Sequence, residues 1–222
     1  MNNLTPVRRI PRKNRSLSGE VSIPRLKTSV SYESGLERDF VFINAINPKV
    51  TNIVSQPCCI HFADKKGQER HYTPDYLVTF SSKKTRPQLI EIKYSEELQE
   101  KASELADQFK AARLYAKDQG WKFLTVTEND IRTPILDNAK RLLPLQARVP
   151  NSDWANKLIG LTPSRLSIEQ LLDKAELAEA DRARGFNAAL SLIAHSQFFV
   201  DLTQPITPKT IIRKIKKGGD YG

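Results

Sequence analysis

The stretch RHYTPDYLVTFSSKKTRPQLIEIKY, residues 70–94, decides the fold predicted for this chain. Its aromatic and β-branched runs predict one strand over 69–80 and a second over 88–94, joined by the polar turn 81–87. Asp75 lies near the start of the first strand, and Glu91 and Lys93 lie near the end of the second. The two strands therefore bring acids and a lysine into one short region.

The alternation of side chains along a strand predicts which side chains of this region lie close together. Glu91 and Lys93 point to one face, and Asp75 and Glu91 converge on one edge if the strands pair through the turn. Two carboxylates and the main-chain carbonyl of Ile92 suit Mg²⁺ or Mn²⁺. Lys93 beside such a metal orients a water or stabilises charge on a phosphate. The pattern predicts metal-dependent hydrolysis of a phosphodiester.

Each part of this pattern also has an ordinary interpretation. A carboxylate two residues before a lysine is typical of a solvated strand face, and Thr73-Pro74-Asp75 is typical of a turn. The order of the parts is more informative than any one of them. A helix with an acid comes first, then Pro-Asp on a strand, then acid–x–Lys at the end of the next strand, and then a long helix.

The helix that precedes these strands carries the additional acid. Ser31 or Ser34 can cap a helix that runs to about residue 45, with Leu36, Phe40 and Ile43 in one apolar stripe. Glu37 lies at the edge of that stripe. From the residues alone, this carboxylate is either solvated at the rim or turned into a polar site.

The other elements predict an α/β core with a mixed sheet. Extended segments over 50–55 and 56–62 precede the decisive stretch, and 56–62 is expected to form a hairpin with 69–80. A long helix opens at Ser95 and ends at Gly120, and 121–127 is a strand rich in aromatic and β-branched residues. Strand, helix and strand predict a parallel crossover beside the three-stranded meander.

The C-terminal part predicts a smaller domain. One or two short helices over 128–143 precede a region rich in proline, and Ser167 with Gln170 forms a capping box that opens another helix. A further helix over 182–195 is followed by two short strands, which suggests a winged-helix-like unit. The predicted divisions are an arm (1–30), an α/β domain (31–145), a linker (146–163), the winged-helix-like domain (164–217) and a tail (218–222).

The net charge of +10 favours a polyanionic partner, and nucleic acid is the obvious one. Residues 1–30 are either a poorly ordered basic tail or an arm that follows a phosphate backbone. The candidate DNA-binding residues are Arg8, Arg9, Arg12, Lys13, Arg15, Arg182, Arg184, Lys214, Lys216 and Lys217.

The adjacent Cys58 and Cys59 are the only cysteines, so neither a disulfide framework nor a zinc site is expected. The basic N-terminus is not followed by an apolar run, and no stretch approaches the ~20 apolar residues of a membrane span. We expect a soluble protein of a reducing compartment, the bacterial cytoplasm, in association with the nucleoid.

The ordered motifs resemble the PD-(D/E)xK nuclease superfamily, and within it the TnsA endonucleases of Tn7-like transposons. The resemblance covers about residues 31–132 and is carried by Tyr32-Glu33-Ser34-Gly35-Leu36-Glu37, Gln56-Pro57, Tyr72-Thr73-Pro74-Asp75-Tyr76-Leu77, Glu91-Ile92-Lys93 and Val126-Thr127-Glu128. It implies a restriction-endonuclease-like fold. It also implies a small C-terminal winged-helix domain.

The resemblance further implies that Glu37, Asp75, Glu91 and Lys93 are catalytic. It makes Glu37 a metal-site acid together with Asp75, Glu91 and the Ile92 carbonyl, with Mg²⁺ or Mn²⁺ as cofactor. It implies cleavage at the transposon 5′ ends, beside a DDE transposase (TnsB-like) and an AAA+ ATPase (TnsC-like). A stand-alone restriction or repair nuclease of the superfamily and a non-catalytic DNA-binding adaptor are the alternative interpretations.

Overall fold

The computed structural model describes residues 17–150, 152–162 and 165–214. Contacts along the chain divide it into two compact units, Met1–Arg132 and Thr133–Gly222. No helix in these described ranges is long and apolar enough to cross a membrane.

The first unit combines helices and strands as the sequence predicts. Its elements in chain order are β1 (Gly19–Ile23), β2 (Thr28–Tyr32), α1 (Gly35–Ala45), β3 (Val50–Ser55), β4 (Ile60–Ala63), β5 (Glu69–Tyr72), β6 (Tyr76–Phe80), β7 (Gln88–Ile92), α2 (Ser95–Glu100), α3 (Ala102–Asp118), β8 (Lys122–Val126) and α4 (Glu128–Ile131). The predicted mixed α/β fold is confirmed in this unit.

A four-stranded mixed sheet in the order β3-β6-β7-β8 lies at the centre of the unit. The β3–β6 and β6–β7 pairs are antiparallel, whereas β7 and β8 are parallel and joined by the helical crossover α2–α3. Leu77 and Leu89 on one face of the sheet share a buried apolar cluster with Ala112 and Ala116 of α3. Strand β7 is buried on both faces, so any polar side chain on it needs a partner.

Two strands of this sheet differ from the prediction. The expected strand over 69–80 is divided into β5 and β6, because Pro74 has no N–H to continue a ladder. β5 pairs with β4 in a separate two-stranded sheet, and the central neighbour of β6 is β3, with Ser55 opposite Tyr76. The predicted hairpin of 56–62 with 69–80 is confirmed by the β4–β5 pair, and the predicted pairing of 69–80 with 88–94 is confirmed by the β6–β7 pair. The expected three-stranded meander is wrong only in that no single strand joins these two pairs.

The helices of this unit follow the predicted periodicity with one interruption. Ser34 is the N-cap of α1, and its side chain accepts a hydrogen bond from the Glu37 N–H. Leu36 and Phe40 are buried as expected. The long helix predicted after Ser95 is divided at Lys101, which leaves helical geometry and separates α2 from α3.

The predicted N-terminal arm also differs, because part of it folds. Strands β1 and β2 form an antiparallel hairpin in which Val21, Ile23 and Val30 are buried. Between them, the Arg25 guanidinium donates to the carbonyls of Val50, Ala45 and Asn47 at 2.8, 3.3 and 3.0 Å. Arg25 therefore joins the hairpin to the end of α1. Residues 1–16 lie outside the described residues.

The second unit begins with α5 (Pro134–Leu142) and a 3₁₀ helix (Leu143–Ala147). These are followed by α6 (Ser152–Leu161), β9 (Leu166–Ser167), α7 (Ile168–Lys174), α8 (Glu179–Ala194), β10 (Phe198–Phe199) and β11 (Ile211–Lys214). The capping box of Ser167 and Gln170 is present at α7. The three strands form a small antiparallel sheet in the order β10-β11-β9.

The region predicted as a linker, 146–163, contains α6. This helix forms because Ala155 and Leu158 bury an apolar face within the second unit. The sequence-based prediction missed the helix because prolines on both sides of it are typical of a linker. Strand β9 is also absent from the prediction, since two residues give no detectable alternation.

Candidate active site

Asp75 immediately precedes β6 and is held at both its side chain and its main chain. Its carboxylate Oδ2 accepts a hydrogen bond from the Ile92 N–H of β7 at 2.6 Å. Its carbonyl accepts one from the Gln56 N–H at 2.7 Å, and Gln56 has a left-handed φ of 46°. The pairing of Asp75 with the end of β7 brings it to the place that the sequence predicts.

Glu91 lies on β7 and is 3% exposed, yet both carboxylate oxygens have partners. Oε2 accepts a hydrogen bond from the Tyr72 hydroxyl at 2.6 Å, and Oε1 forms an ion pair with Lys93 Nζ at 2.8 Å. A buried carboxylate without such partners would be strongly destabilising. Tyr72 and Lys93 therefore fix the position of the Glu91 carboxylate.

Lys93 keeps its proton in this setting. Burial lowers the pKa of Lys93, but the charge and hydrogen bond of Glu91, together with the charge of Asp75, outweigh burial and raise the pKa overall. Its ammonium also lies 3.4 Å from the Ile92 carbonyl oxygen. Lys93 is therefore a fixed positive charge beside the acids and not a base.

Glu37 is bound mainly to its own helix start. Oε2 accepts from the Glu33 N–H at 2.8 Å, and Oε1 accepts from the Ser34 hydroxyl at 3.0 Å. The Tyr76 hydroxyl lies 3.3 Å from Oε2 and donates to the Ser31 carbonyl at 2.8 Å. Burial raises the pKa of Glu37. The carboxylate is thus turned inward and not solvated at the rim.

The three acids interact electrostatically. Burial raises the pKa of Asp75 well above its usual value, and the charges of Glu91 and, less strongly, Glu37 raise it further. The Ile92 N–H and Lys93 lower it but do not compensate. Without a further cation, the negative charges around Asp75 therefore exceed the positive charge that Lys93 supplies.

A divalent cation would relieve this repulsion. The donors available to it are oxygens of Asp75 and Glu91 and the Ile92 carbonyl, the hard ligand type that Mg²⁺ prefers. In the described part of the chain, no three or more His, Cys, Asp or Glu side chains form a ready metal cage. Mg²⁺ commonly uses only one or two carboxylates and takes its remaining ligands from water and substrate phosphate, so the donor set fits.

Two tyrosines of this site are absent from the sequence-based prediction. Tyr72 donates to Glu91, and Tyr76 reaches Glu37 and the Ser31 carbonyl. Burial, and after it the charges of the acids, raise the pKa of both hydroxyls, so they remain donors. The sequence feature that could have identified these tyrosines is their position on either side of Thr73-Pro74-Asp75, next to a predicted site acid.

The basic residues predicted to bind DNA either belong to the second unit or fall outside the described residues. Arg182 is paired with Asp173 at 2.8 Å, Arg184 lies 3.3 Å from Asp181, and Lys214 Nζ donates to the Ile159 carbonyl at 3.2 Å. Arg8, Arg9, Arg12, Lys13, Arg15, Lys216 and Lys217 lie outside the described residues.

Comparison with known families identifies one segment of the chain. Residues 47–128 match the family model described as TnsA-like endonuclease N terminal. The match covers less than half of the chain; it includes Asp75, Glu91 and Lys93, and Glu37 precedes it. No curated protein matches the chain.

Proposed function

Since residues 47–128 match the TnsA-like endonuclease N-terminal family, we propose that this protein is the metal-dependent endonuclease subunit of a Tn7-like transposase. Its reaction is hydrolysis of a DNA phosphodiester at the transposon 5′ ends. The observation that supports this most directly is the meeting of Asp75, Glu91 and Lys93 at the joined ends of β6 and β7.

The proposed roles follow from the contacts of each side chain. Asp75 and Glu91, with the Ile92 carbonyl, hold Mg²⁺; the Ile92 N–H orients Asp75, and Tyr72 orients Glu91. When bound, Mg²⁺ supplies Lewis-acid chemistry, since it polarises a phosphoryl oxygen and makes water a better nucleophile at neutral pH. Lys93, which stays protonated, stabilises the negative charge that develops on the phosphate.

Glu37 is proposed as the third acid of the site. Its fixed hydrogen bonds at the start of α1 keep it close enough to Asp75 for its charge to raise the pKa of that carboxyl. In hydrolysis, water adds to phosphorus, the phosphorus–oxygen bond to the leaving strand breaks, and the leaving oxygen takes a proton. The negative charge of Glu37 would stabilise a divalent cation bound by Asp75 and Glu91.

The second unit is proposed to be winged-helix-like. In support, helix α6, strand β9, helices α7 and α8, and strands β10 and β11 follow in that order, and the three strands form one sheet. The proposed partners of the whole chain are transposon-end DNA, a DDE transposase and an AAA+ ATPase regulator. These partners rest on the family relationship of residues 47–128.

Strand-specific cleavage tests this function. The full chain is incubated with a duplex that carries a transposon end, with Mg²⁺ or EDTA and with or without the cognate transposase. Denaturing gels then map the cut. We expect a cut at the transposon 5′ end that requires both Mg²⁺ and the transposase.

The alternatives give different results in the same assay. Efficient Mg²⁺-dependent cutting of plain duplex by the chain alone would identify a stand-alone nuclease. A non-catalytic adaptor would cut nothing, and titration calorimetry would show no Mg²⁺ binding that depends on Asp75 and Glu91. Either result would overturn the proposed function.

Tyr72→Phe tests whether the hydroxyl on Glu91 matters for the reaction. Removing it leaves one oxygen of a buried carboxylate unpaired, so we expect a loss of about 1.5–3 kcal/mol in unfolding free energy. We also expect cleavage to fall by about 10–100-fold, the usual effect of losing a group that orients a metal ligand. Urea denaturation and single-turnover cleavage measure the two effects.

Tyr94→Phe is the matched control, because Tyr94 is 44% exposed and, among the described residues, its hydroxyl accepts a hydrogen bond from Arg132 at 3.1 Å. It should change cleavage little. Equal cleavage by the Tyr72 and Tyr94 variants would contradict the orienting role of Tyr72.

A further inference from the structure

One end of the central sheet carries a concentration of positive charge. Six exposed cations lie there, and we call them the basic end: Lys49, Lys83, Lys84, Arg86, Lys117 and Lys122. They come from the residue before β3, the turn between β6 and β7, the last turn of α3 and the first residue of β8.

Backbone hydrogen bonds join these four segments. The Ser81 N–H donates to the Lys49 carbonyl at 2.8 Å, and the Lys122 N–H donates to the Pro87 carbonyl at 2.8 Å. The Gly120 N–H donates to the Lys117 carbonyl at 3.0 Å. The basic end is therefore one continuous surface and not a set of scattered lysines.

Most cations of the basic end have no acid paired with them in the described part of the chain. Asp118 is the single acid in the segments that form it. Within the described part of the chain, Lys83, Lys84, Arg86, Lys117 and Lys122 form no ion pair. Elsewhere in the same unit Arg70, Lys65 and Lys101 are each paired with an acid. Unbalanced cations of this density fit a polyanion.

The basic end lies away from the candidate active site. Lys122 is opposite Gln88, the first residue of β7, whereas Asp75 binds the N–H of Ile92, the last residue of that strand. At about 3.3 Å per residue, the two ends of β7 are roughly 13 Å apart. They also face opposite directions along the strand, so the basic end is not part of the candidate active site.

We propose that the basic end binds the sugar–phosphate backbone of a second segment of duplex DNA, while the active-site edge holds the segment to be cut. Lysine and arginine side chains on a turn contact phosphates without reading bases, so this binding is independent of sequence and sensitive to salt. The inference that this DNA segment is distinct from the one to be cut rests on the proposed function. The inference that the basic end binds duplex DNA does not depend on that function.

A bridging experiment with the full chain tests this proposal. One duplex is biotinylated and immobilised, another is fluorescent, and the protein is added in Mg²⁺ without the transposase, conditions in which no cutting is expected. The wild-type chain should retain the fluorescent duplex. A variant that combines Lys83→Gln, Lys84→Gln and Arg86→Gln should retain about tenfold less fluorescent duplex, or less still. The same variant should lower the slope of log affinity against log salt concentration by up to about 2.7.

The control combines Lys66→Gln, Lys110→Gln and Lys140→Gln, three exposed lysines outside the basic end with the same change in net charge. It should retain bridging within about twofold, because electrostatic binding depends on where phosphates are contacted. Equal bridging by the wild type and the basic-end variant, equal loss in the control, or no bridging by the wild type would each overturn the proposal. In those cases an acidic protein surface becomes the better partner.

Cleavage is measured separately with Mg²⁺ and the transposase. If no protein cuts DNA but bridging still depends on the basic end, the proposed function fails and this inference stands. If the wild type cuts normally but bridging is independent of the basic end, the inference fails alone.

Discussion

Asp75→Asn is expected to reduce DNA cleavage by at least about 10³-fold while the protein stays folded. Asparagine keeps an oxygen that can accept the Ile92 N–H, but it removes a charged metal donor from beside Glu91. Single-turnover cleavage of transposon-end DNA in Mg²⁺ measures the effect. Normal cutting by this variant would mean that Asp75 is not part of the active site.

The same substitution is expected to stabilise the metal-free protein. Burial and the charge of Glu91 raise the pKa of Asp75, so the ionised Asp75 opposes folding. Below the unfolded-state pKa both states are protonated and wild type and variant have similar stability. As pH rises toward the folded-state pKa, wild type loses stability that the variant keeps.

Thermal unfolding in EDTA and in Mg²⁺ measures this difference across pH. Mg²⁺ should raise the Tm of wild type and have little effect on the Asn variant, since ligands stabilise only the state that binds them. Asp137→Asn is the matched control, because Asp137 is exposed on α5 and lies outside the site. It should leave both the Mg²⁺ response and cleavage unchanged.

Lys93→Met is expected to have the opposite effect on stability. It leaves the Glu91 carboxylate, whose residue is 3% exposed, without its ionic partner at 2.8 Å. Breaking a buried pair in this way costs roughly 3 kcal/mol of unfolding free energy. Cleavage should also fall by about 10²–10³-fold, because the ammonium no longer stabilises charge on the phosphate.

Urea denaturation in EDTA and single-turnover cleavage measure these two losses. Lys101→Met is the control, since Lys101 forms a surface pair with Glu97 at 3.2 Å and its side chain is 49% exposed. That pair should contribute less than about 0.5 kcal/mol. If the Lys93 and Lys101 variants unfold at the same urea concentration, the Glu91–Lys93 pair does not have the structural role described.

The two substitutions together test the charge balance of the site. One removes a negative charge and the other removes the positive charge, so their effects on metal-free stability have opposite signs while both reduce cleavage. A purely structural cluster would not give this combination. It would lose stability in both cases, because each change would remove a favourable contact.

Much of the first unit is predictable because its signals are local. The aromatic and β-branched runs of 76–80 and 88–92 predict β6 and β7, and Ser34 predicts the start of α1 through its side-chain cap. The parallel crossover follows from the order of strand, helix and strand. These features depend on residues that are close in the sequence.

By itself, the sequence determined that Asp75, Glu91 and Lys93 lie at neighbouring strand ends, because strand alternation and turn length are local properties. Only the tertiary structure decided that Tyr72 holds Glu91, that Glu37 faces inward beside Tyr76, and that β4 and β5 leave the central sheet. The first two arrangements depend on contacts between residues 19 and 39 positions apart, Tyr72 with Glu91 and Tyr76 with Glu37. A local sequence pattern does not show the burial and the charges that favour contacts between distant residues.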